Sequence, residues 1–161
     1  GSAELDENGE VITASRNEHQ WRRVKYSYMD CRREAHRRGL TLRGPRKIFD
    51  SELAHVGFLF AAAQGDFRPY HDIVFERFWR RELDIEDINV IEATLREAGI
   101  DTRGFRDYAA TTGRTALDAV QRTAESGGVF GVPSYVVDGE LFWGAERLER
   151  ALEKAGVLPR G

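Results

Sequence analysis

Residues 128–144 read GVFGVPSYVVDGELFWG, and this stretch decides the fold of the chain. Proline has no N–H group, so Pro133 marks the start of a strand rather than its interior. The strand runs over residues 134–137. Asp138-Gly139 is a typical two-residue turn, after which residues 140–143 return as the second strand of a hairpin.

The Val132–Pro133 bond is a candidate cis peptide, because X–Pro bonds are the ones for which the cis form costs little. A cis bond would turn the carbonyl and the N–H of Val132 outward, where a peptide-like ligand could pair with them. The alternative is an ordinary hairpin with an ordinary proline, and the spacing alone leaves both interpretations open.

Length and composition exclude several classes of protein. The 161 residues fit a single domain, and no apolar run approaches the roughly 20 residues of a membrane span. A net charge of -3 argues against a general polyanion binder, so we expect no nucleic acid partner and no membrane. A single cysteine, together with the lack of a recognisable signal segment, favours a cytoplasmic protein.

Helical periodicity dominates the chain before the hairpin. Residues 1–16 are predicted to form a poorly ordered arm or a short hairpin around Asn8-Gly9, and residues 17–127 a helical domain. The second helix, between Ser51 and Gly65, is apolar nearly all round and is expected to be central. Asp84 is predicted to cap a later helix. Residues 128–158 carry the hairpin and one last helix, which begins at Ala145.

A two-stranded hairpin is marginally stable in water when it stands alone. Tyr135, Val136 and Val137 are too apolar for an isolated hairpin, so other parts of the protein must cover its faces and pair its edge. The helices can cover a face, but they cannot pair the backbone of the edge.

Two short segments carry a family resemblance. They are Phe130-Gly131-Val132-Pro133-Ser134-Tyr135 and Phe142-Trp143-Gly144-Ala145-Glu146-Arg147-Leu148. With the hairpin between them, they resemble the C-terminal half of the DsbA-like thioredoxin-fold family. Within that family they are most similar to the 2-hydroxychromene-2-carboxylate isomerases and the kappa-class glutathione transferases.

Features of the helical part are similar to the inserted helical domain of the same branch. They are Lys25-Tyr26 with Asp30 and Arg32, Gln64-Gly65, and Phe78-Trp79. The resemblance covers residues 17–158. It implies an α/β thioredoxin-like fold, built from the C-terminal hairpin and helix, with a large inserted helical domain.

The chain departs from this family at its start. Family members begin with a strand-helix-strand unit whose turn carries a reacting serine or a Cys-x-x-Cys pair, and residues 1–16 show neither. We therefore expect that unit to be missing here, which leaves the catalytic residue unknown. The 161-residue chain is expected to have little or no activity by itself.

The resemblance implies where glutathione would bind. In the glutathione-using branch, the backbone before the cis-proline pairs with the cysteinyl part of glutathione. The acidic residue after the tryptophan-glycine pair binds the γ-glutamyl end. The corresponding residues here are Val132, Pro133, Ala145 and Glu146, with glutamate where the branch usually has aspartate. Free N–H groups at the start of a helix favour a carboxylate. The alternative is that Glu146 interacts only with the dipole of its own helix.

Three functions follow from the resemblance. The first is a glutathione-dependent isomerase or transferase, with glutathione as the cofactor and a small aromatic-derived acid as the substrate. The second is a thiol-disulfide oxidoreductase, which needs a Cys-x-x-Cys turn that a one-cysteine chain cannot supply. The third is a non-catalytic thioredoxin-like binding module that pairs its sheet with another chain. A homodimer is favoured, because the family tends to it and because an unpaired strand edge invites it.

The remaining candidate residues are aromatic side chains and the single cysteine, and packing explains most of them. Trp143 is the best candidate for a wall of the substrate pocket, whereas Phe60, Phe78 and Trp79 are expected in the core. Cys31 lies on the apolar stripe of the first helix and is predicted to be a small buried hydrophobe.

No metal site is expected, because the four histidines lack the spacing of a ligand set. Seven basic residues make a local patch, which is either a solvated face or an attractant for an anionic substrate. The seven are Arg32, Arg33, Arg37, Arg38, Arg43, Arg46 and Lys47.

Overall fold

The computed structural model describes residues 3–5, 11–14 and 17–159. The chain divides into two compact units, of residues 1–114 and residues 115–161. In the first unit, strands β1 (Ala3–Leu5) and β2 (Val11–Ala14) pair antiparallel. The turn predicted at Asn8-Gly9 lies outside the described residues.

Helices make up most of the described chain, as predicted. They are α1 (Glu18–Arg37), α2 (Glu52–Ala63), α3 (Arg68–Arg80), α4 (Ile88–Glu97), α5 (Phe105–Ala110) and α6 (Thr112–Ser126). The predicted hairpin follows as β3 (Ser134–Val137) and β4 (Glu140–Trp143). A 3₁₀ turn (Ala145–Arg147) and helix α7 (Leu148–Lys154) complete the second unit. Within the described ranges, no helix combines the length and the apolar character that crossing a bilayer requires.

Helix α1 begins with a reciprocal cap. The Asn17 side chain accepts a hydrogen bond from the Gln20 N–H, and the Gln20 side chain accepts one from the Asn17 N–H, both at 2.9 Å. Most of this helix is solvent-exposed, with Ala35 buried and Tyr28 half-buried. The prediction of a buried Cys31 is wrong, because its side chain is exposed. The apolar stripe of α1 is covered at Ala35, whereas at Cys31, one turn earlier, it is open to solvent.

Helix α2 is central, which confirms the prediction from its apolar sequence. It packs against α3, α4 and α5. Small residues on α2, such as Gly57 and Ala61, are buried at these contacts. They allow large side chains from the neighbouring helices to approach closely, and Tyr70, Ile91 and Phe105 are among the most deeply buried. This close packing forms the core of the first unit.

The N-cap residue of α4 differs from the one predicted from the sequence. Asp87, not Asp84, is the N-cap, and its carboxylate accepts a 2.8 Å hydrogen bond from the Asn89 N–H. Asp84 instead accepts from the Glu86 N–H at 3.0 Å, in the turn before the helix. The two aspartates lie three residues apart and both suit a cap, so the sequence pattern locates the helix without choosing between them.

A two-fold hydrogen-bonded ion pair joins α3 to α4. The Arg77 guanidinium donates to both carboxylate oxygens of Glu97, at 2.8 and 2.6 Å. These hydrogen bonds lower the pKa of Glu97. Desolvation opposes them in part, and the attraction of the Arg77 charge adds a further lowering.

The contact between Gly57 and Tyr70 gives a first prediction. A Cβ at Gly57 would collide with the Tyr70 hydroxyl oxygen and would lie 2.9 Å from Tyr70 Cζ and 3.0 Å from Ile91 Cγ2. Overpacking of this kind costs about 1–3 kcal/mol. We therefore expect Gly57→Ala to lower the free energy of unfolding in urea, although alanine is the better helix former by roughly 1 kcal/mol.

A double-mutant cycle with Tyr70→Phe tests the cause. The Tyr70 hydroxyl donates a 3.0 Å hydrogen bond to the Ala54 carbonyl, so Tyr70→Phe alone is expected to cost about 1 kcal/mol. Because it removes the oxygen that the new methyl group meets, Gly57→Ala should cost less when it is combined with Tyr70→Phe than in the wild type. An alanine variant as stable as the wild type would contradict the packing described here.

The Arg77–Glu97 pair gives a second prediction, for pH dependence. A carboxyl group whose pKa is lower in the folded state stabilises the protein above its ordinary value of 4.5, and that contribution is lost as the pH falls through the lowered pKa. Glu97→Gln should therefore reduce the urea midpoint at pH 7, and the gap to wild type should shrink as the pH falls below 4.5. Asp30→Asn, an exposed carboxylate on α1 with no described partner, is the control and should show no such gap.

Candidate functional site

The hairpin of the second unit has the predicted register and turn. Ser134 faces Trp143 and Val137 faces Glu140 across the two strands. Asp138 and Gly139 have φ angles of 50° and 78°, so both adopt the left-handed conformation that a two-residue type I′ turn requires.

The ladder continues one step beyond the strands and brings the predicted glutathione-binding residues to the same end of the hairpin. The Gly144 N–H donates a 3.0 Å hydrogen bond to the Pro133 carbonyl. Val132 precedes Pro133 and Ala145 follows Gly144, so these two residues come next at that end. The Val132–Pro133 peptide bond is cis.

The backbone of Val132 is open to a ligand. This residue is 88% exposed. Neither its N–H nor its carbonyl forms a hydrogen bond with any residue that the structure describes. The adjoining chain is fixed, because the Ser134 hydroxyl donates a 2.6 Å hydrogen bond to the Gly131 carbonyl. Val132 therefore presents an unpaired donor and an unpaired acceptor beside the start of β3.

The last α-helix does not begin at Ala145, as the sequence predicted. Residues 145–147 make a 3₁₀ turn, and the α-helix begins only at Leu148. The tighter turn is held by a hydrogen bond from the Arg147 N–H to the Gly144 carbonyl, at 3.0 Å. Within the described chain, the N–H groups of Ala145 and Glu146 have no acceptor. Two adjacent donors are thus available at this turn.

The Glu146 carboxylate folds back over Gly144. A Cβ at Gly144 would lie 2.5 Å from Oε2 and 2.6 Å from Oε1 of Glu146, and the φ of Gly144 is +107°. Both the close approach and the backbone angle require glycine at this position. The carboxylate consequently lies next to the Gly144–Pro133 hydrogen bond, at the end of the hairpin where Val132 is exposed.

Trp143 packs over the segment that leads into Pro133. It is 51% exposed, and its ring centroid lies 5.1 Å from that of Phe130. A Cβ at Gly131 would lie 2.7 Å from its indole nitrogen. Trp143 therefore stabilises the approach to the cis-proline, while about half of its surface is available to a ligand.

A cavity of about 560 Å³ lies within the first unit. Its walls come from α2, α3 and the chain between Pro45 and Ser51, with Tyr28 of α1 and Ile85, and seven of its sixteen lining residues are phenylalanine, tyrosine or tryptophan. Phe78 and Trp79, which the sequence favours as core residues, line this cavity and are half-buried. Phe60 packs instead against Phe105 and Tyr108, with ring centroids 5.2 and 5.4 Å apart.

Two basic side chains of the cavity are already paired. Lys47 forms an ion pair with Glu86 and lies 4.8 Å from the centroid of the Phe49 ring. The hydrogen bond to Glu86 raises the pKa of Lys47, and the same bond lowers the pKa of Glu86. The Nδ1 atom of His71 lies 2.9 Å from a carboxylate oxygen of Asp72.

Ser51 and His55 also line the cavity, and their side chains have no hydrogen-bond partner among the described residues. This pair was not predicted from the sequence, in which His55 stood out only as a possible metal ligand. The available signal was their i, i+4 spacing at the start of an apolar helix, which places both on one face. The described residues include no cluster of three or more metal-ligating side chains. The predicted basic patch is exposed along its length.

The sequence of this chain matches a known protein family and several of its relatives. Residues 3–155 match the family described as DSBA-like thioredoxin domain. A 2-hydroxychromene-2-carboxylate isomerase of Pseudomonas putida is 28% identical over 142 residues, which cover 86% of this chain and 69% of that protein. The same-named protein of Sphingobium xenophagum is 24% identical over 128 residues, covering 79% of this chain and 65% of that one. The chain thus spans about two thirds of the length of these relatives.

A solved structure agrees with the fold. The structure of a 2-hydroxychromene-2-carboxylate isomerase superposes with a TM-score of 0.74 at 23% identity, over 90% of this chain and 71% of that chain. This likeness confirms the predicted thioredoxin-like fold with its large helical part. Since the match to the family extends from residue 3 to residue 155, this chain belongs to the DSBA-like thioredoxin domain family.

Proposed function

We propose that this protein takes part in a glutathione-dependent isomerase or transferase reaction on a small aromatic-derived acid, with glutathione held at the end of the hairpin. The observation that carries the proposal is the unpaired, exposed backbone of Val132 beside the free N–H groups of Ala145 and Glu146. The names of the two curated relatives support the reaction class.

The cysteinyl part of glutathione would bind in the manner of an added strand. Its backbone N–H would donate to the Val132 carbonyl, and its carbonyl would accept from the Val132 N–H. Two antiparallel hydrogen bonds fix both the position and the direction of a short peptide. The side chain of Val132 takes no part in this pairing, so the backbone alone would recognise the ligand.

The γ-glutamyl end would bind at the 3₁₀ turn. Its α-carboxylate would accept hydrogen bonds from the N–H groups of Ala145 and Glu146, and its ammonium group would contact the Glu146 carboxylate. Glutamate is one methylene longer than the aspartate usual in this branch. The extra length is accommodated here because the side chain folds back over Gly144.

The bound thiolate would act as a reversible nucleophile. Its sulfur would add to an unsaturated carbon of the substrate, turning a double bond into a single bond about which rotation is free. The carbon–sulfur bond would then break and return the thiolate with its electron pair. In such an isomerisation glutathione is unchanged over the cycle, so no oxidant or reductant is needed. We assign no residue of this chain to stabilising the thiolate.

Calorimetric titration with reduced glutathione tests the binding part of this proposal, and it is the third prediction. Glu146→Gln should weaken binding about two- to fivefold, which is the range for an exposed ion pair. Glu149→Gln, in the first turn of α7, is the matched control and should bind as tightly as the wild type. Cysteinylglycine lacks the γ-glutamyl group, so its affinity should be the same for Glu146→Gln as for the wild type.

The Val132 backbone can be tested separately. Val132→Pro removes the N–H group and should weaken glutathione binding about fivefold, the value of one hydrogen bond. Val132→Ala changes only the side chain and should leave the affinity unchanged. Far-ultraviolet circular dichroism checks that each variant is folded. The proposal fails if the folded wild-type protein takes up no glutathione at millimolar concentration.

A further inference from the structure

We propose that the indole N–H of Trp143 binds the glycyl carboxylate of glutathione, and so makes this site select ligands with a free C-terminal carboxylate. This inference rests on the proposed function, because it extends the glutathione site of the hairpin by one further subsite. All of the residues involved lie in the second unit.

The direction of the bound tripeptide determines where its glycyl end lies. In antiparallel pairing, the ligand residue before the cysteinyl residue lies opposite Pro133, and the ligand residue after it lies opposite Gly131. The Gly144 N–H donates a 3.0 Å hydrogen bond to the Pro133 carbonyl, which brings the 3₁₀ turn beside that position. The γ-glutamyl end therefore extends toward the turn, and the glycyl end extends the other way, beside Gly131.

The Trp143 indole lies over Gly131, where the glycyl end would bind. A Cβ at Gly131 would lie 2.7 Å from the indole nitrogen, and 3.4 and 3.5 Å from Cε2 and Cδ1 of the same ring. Trp143 faces Ser134 across the hairpin, so its side chain reaches from β4 to the segment that precedes β3. The contact with the Phe130 ring supports the indole in this position.

Backbone pairing alone supplies no donor for the glycyl residue. Opposed residues of an antiparallel pair alternate between hydrogen-bonded and non-hydrogen-bonded positions. Because Val132 and the cysteinyl residue are hydrogen-bonded to each other, Gly131 and the glycyl residue are not. The Trp143 indole N–H is a donor that cannot accept, and no described residue accepts a hydrogen bond from it. Half of the side chain is exposed, so a ligand carboxylate can reach this donor.

The charges near the hairpin differ in the way that the two ends of glutathione differ. The γ-glutamyl end carries an ammonium group, and the Glu146 carboxylate lies over Gly144 on that side. The glycyl end carries only a carboxylate, and residues 128–137 on its side contain no charged side chain. A charged acceptor forms a stronger hydrogen bond than a neutral one, so the indole favours a carboxylate over an ester at this position.

Calorimetric titration of the whole chain with reduced glutathione and with its glycyl monoethyl ester tests this inference and is the fourth prediction. The ester keeps the γ-glutamyl and cysteinyl groups and loses only the glycyl charge. We expect the wild type to bind glutathione about fivefold more tightly than the ester, the value of one exposed hydrogen bond to a charged group. Trp143→Phe removes the N–H and keeps a ring against Phe130, so its preference for glutathione should fall below about twofold.

A second variant reaches the same contact from the backbone side. The φ of Gly131 is not positive, so its backbone tolerates alanine. The new methyl group of Gly131→Ala would displace the indole nitrogen, and the preference for glutathione should fall as it does in Trp143→Phe. Trp21→Phe, which removes an indole N–H from α1 in the first unit, is the matched control and should keep the fivefold preference.

The possible outcomes separate this inference from the proposed function. Equal affinities of the wild type for glutathione and its ester overturn the inference and leave the proposed function in place. A preference that persists in folded Trp143→Phe and Gly131→Ala does the same. A folded wild-type protein that binds neither ligand overturns both.

Discussion

The burial of Tyr70 against Gly57 is the constraint on which the first unit depends. The side chain is 1% exposed, and its hydroxyl donates to the Ala54 carbonyl, one turn of α2 before Gly57. Because glycine has no Cβ, α3 can place a large ring directly on α2, with Ile91 of α4 closing the third side. Burial raises the pKa of Tyr70 well above its usual range, so it remains a neutral donor. The same ring lines the cavity, so the core packing also determines the shape of the candidate ligand site.

The hairpin follows a similar rule, in which glycines let larger groups approach the backbone. Trp143 packs over Gly131 and Glu146 over Gly144. The hydrogen bond from the Gly144 N–H to the Pro133 carbonyl lies between these two contacts. Together they hold the chain on both sides of Val132, whose own N–H and carbonyl have no partner in the described part of the chain. A rigid support with an open backbone is the arrangement that a peptide ligand needs if it is to bind without reordering the protein.

Much of this could be predicted from sequence, because it depends on local rules. Proline and the Asp-Gly turn define the hairpin, and the position of Val132 and Glu146 at one end of it follows from motifs close together in the chain. The cavity could not be predicted, since rings at helical spacing give the same pattern whether they fill a core, as Phe105 does, or line a cavity, as Phe78 does. The exposure of Cys31 likewise depends on what covers α1, which no local pattern records.

The two candidate sites differ in what they offer a ligand, and this difference affects specificity. The hairpin offers main-chain groups at Val132 and Ala145, so most side-chain substitutions there leave the hydrogen bonds in place. The cavity offers side chains, and a change at His55 or Phe75 alters its chemistry directly. Both of these residues are exposed, so they can vary at little cost in stability. The main chain therefore determines which groups are exposed at the end of the hairpin, whereas side-chain identity determines which groups line the cavity.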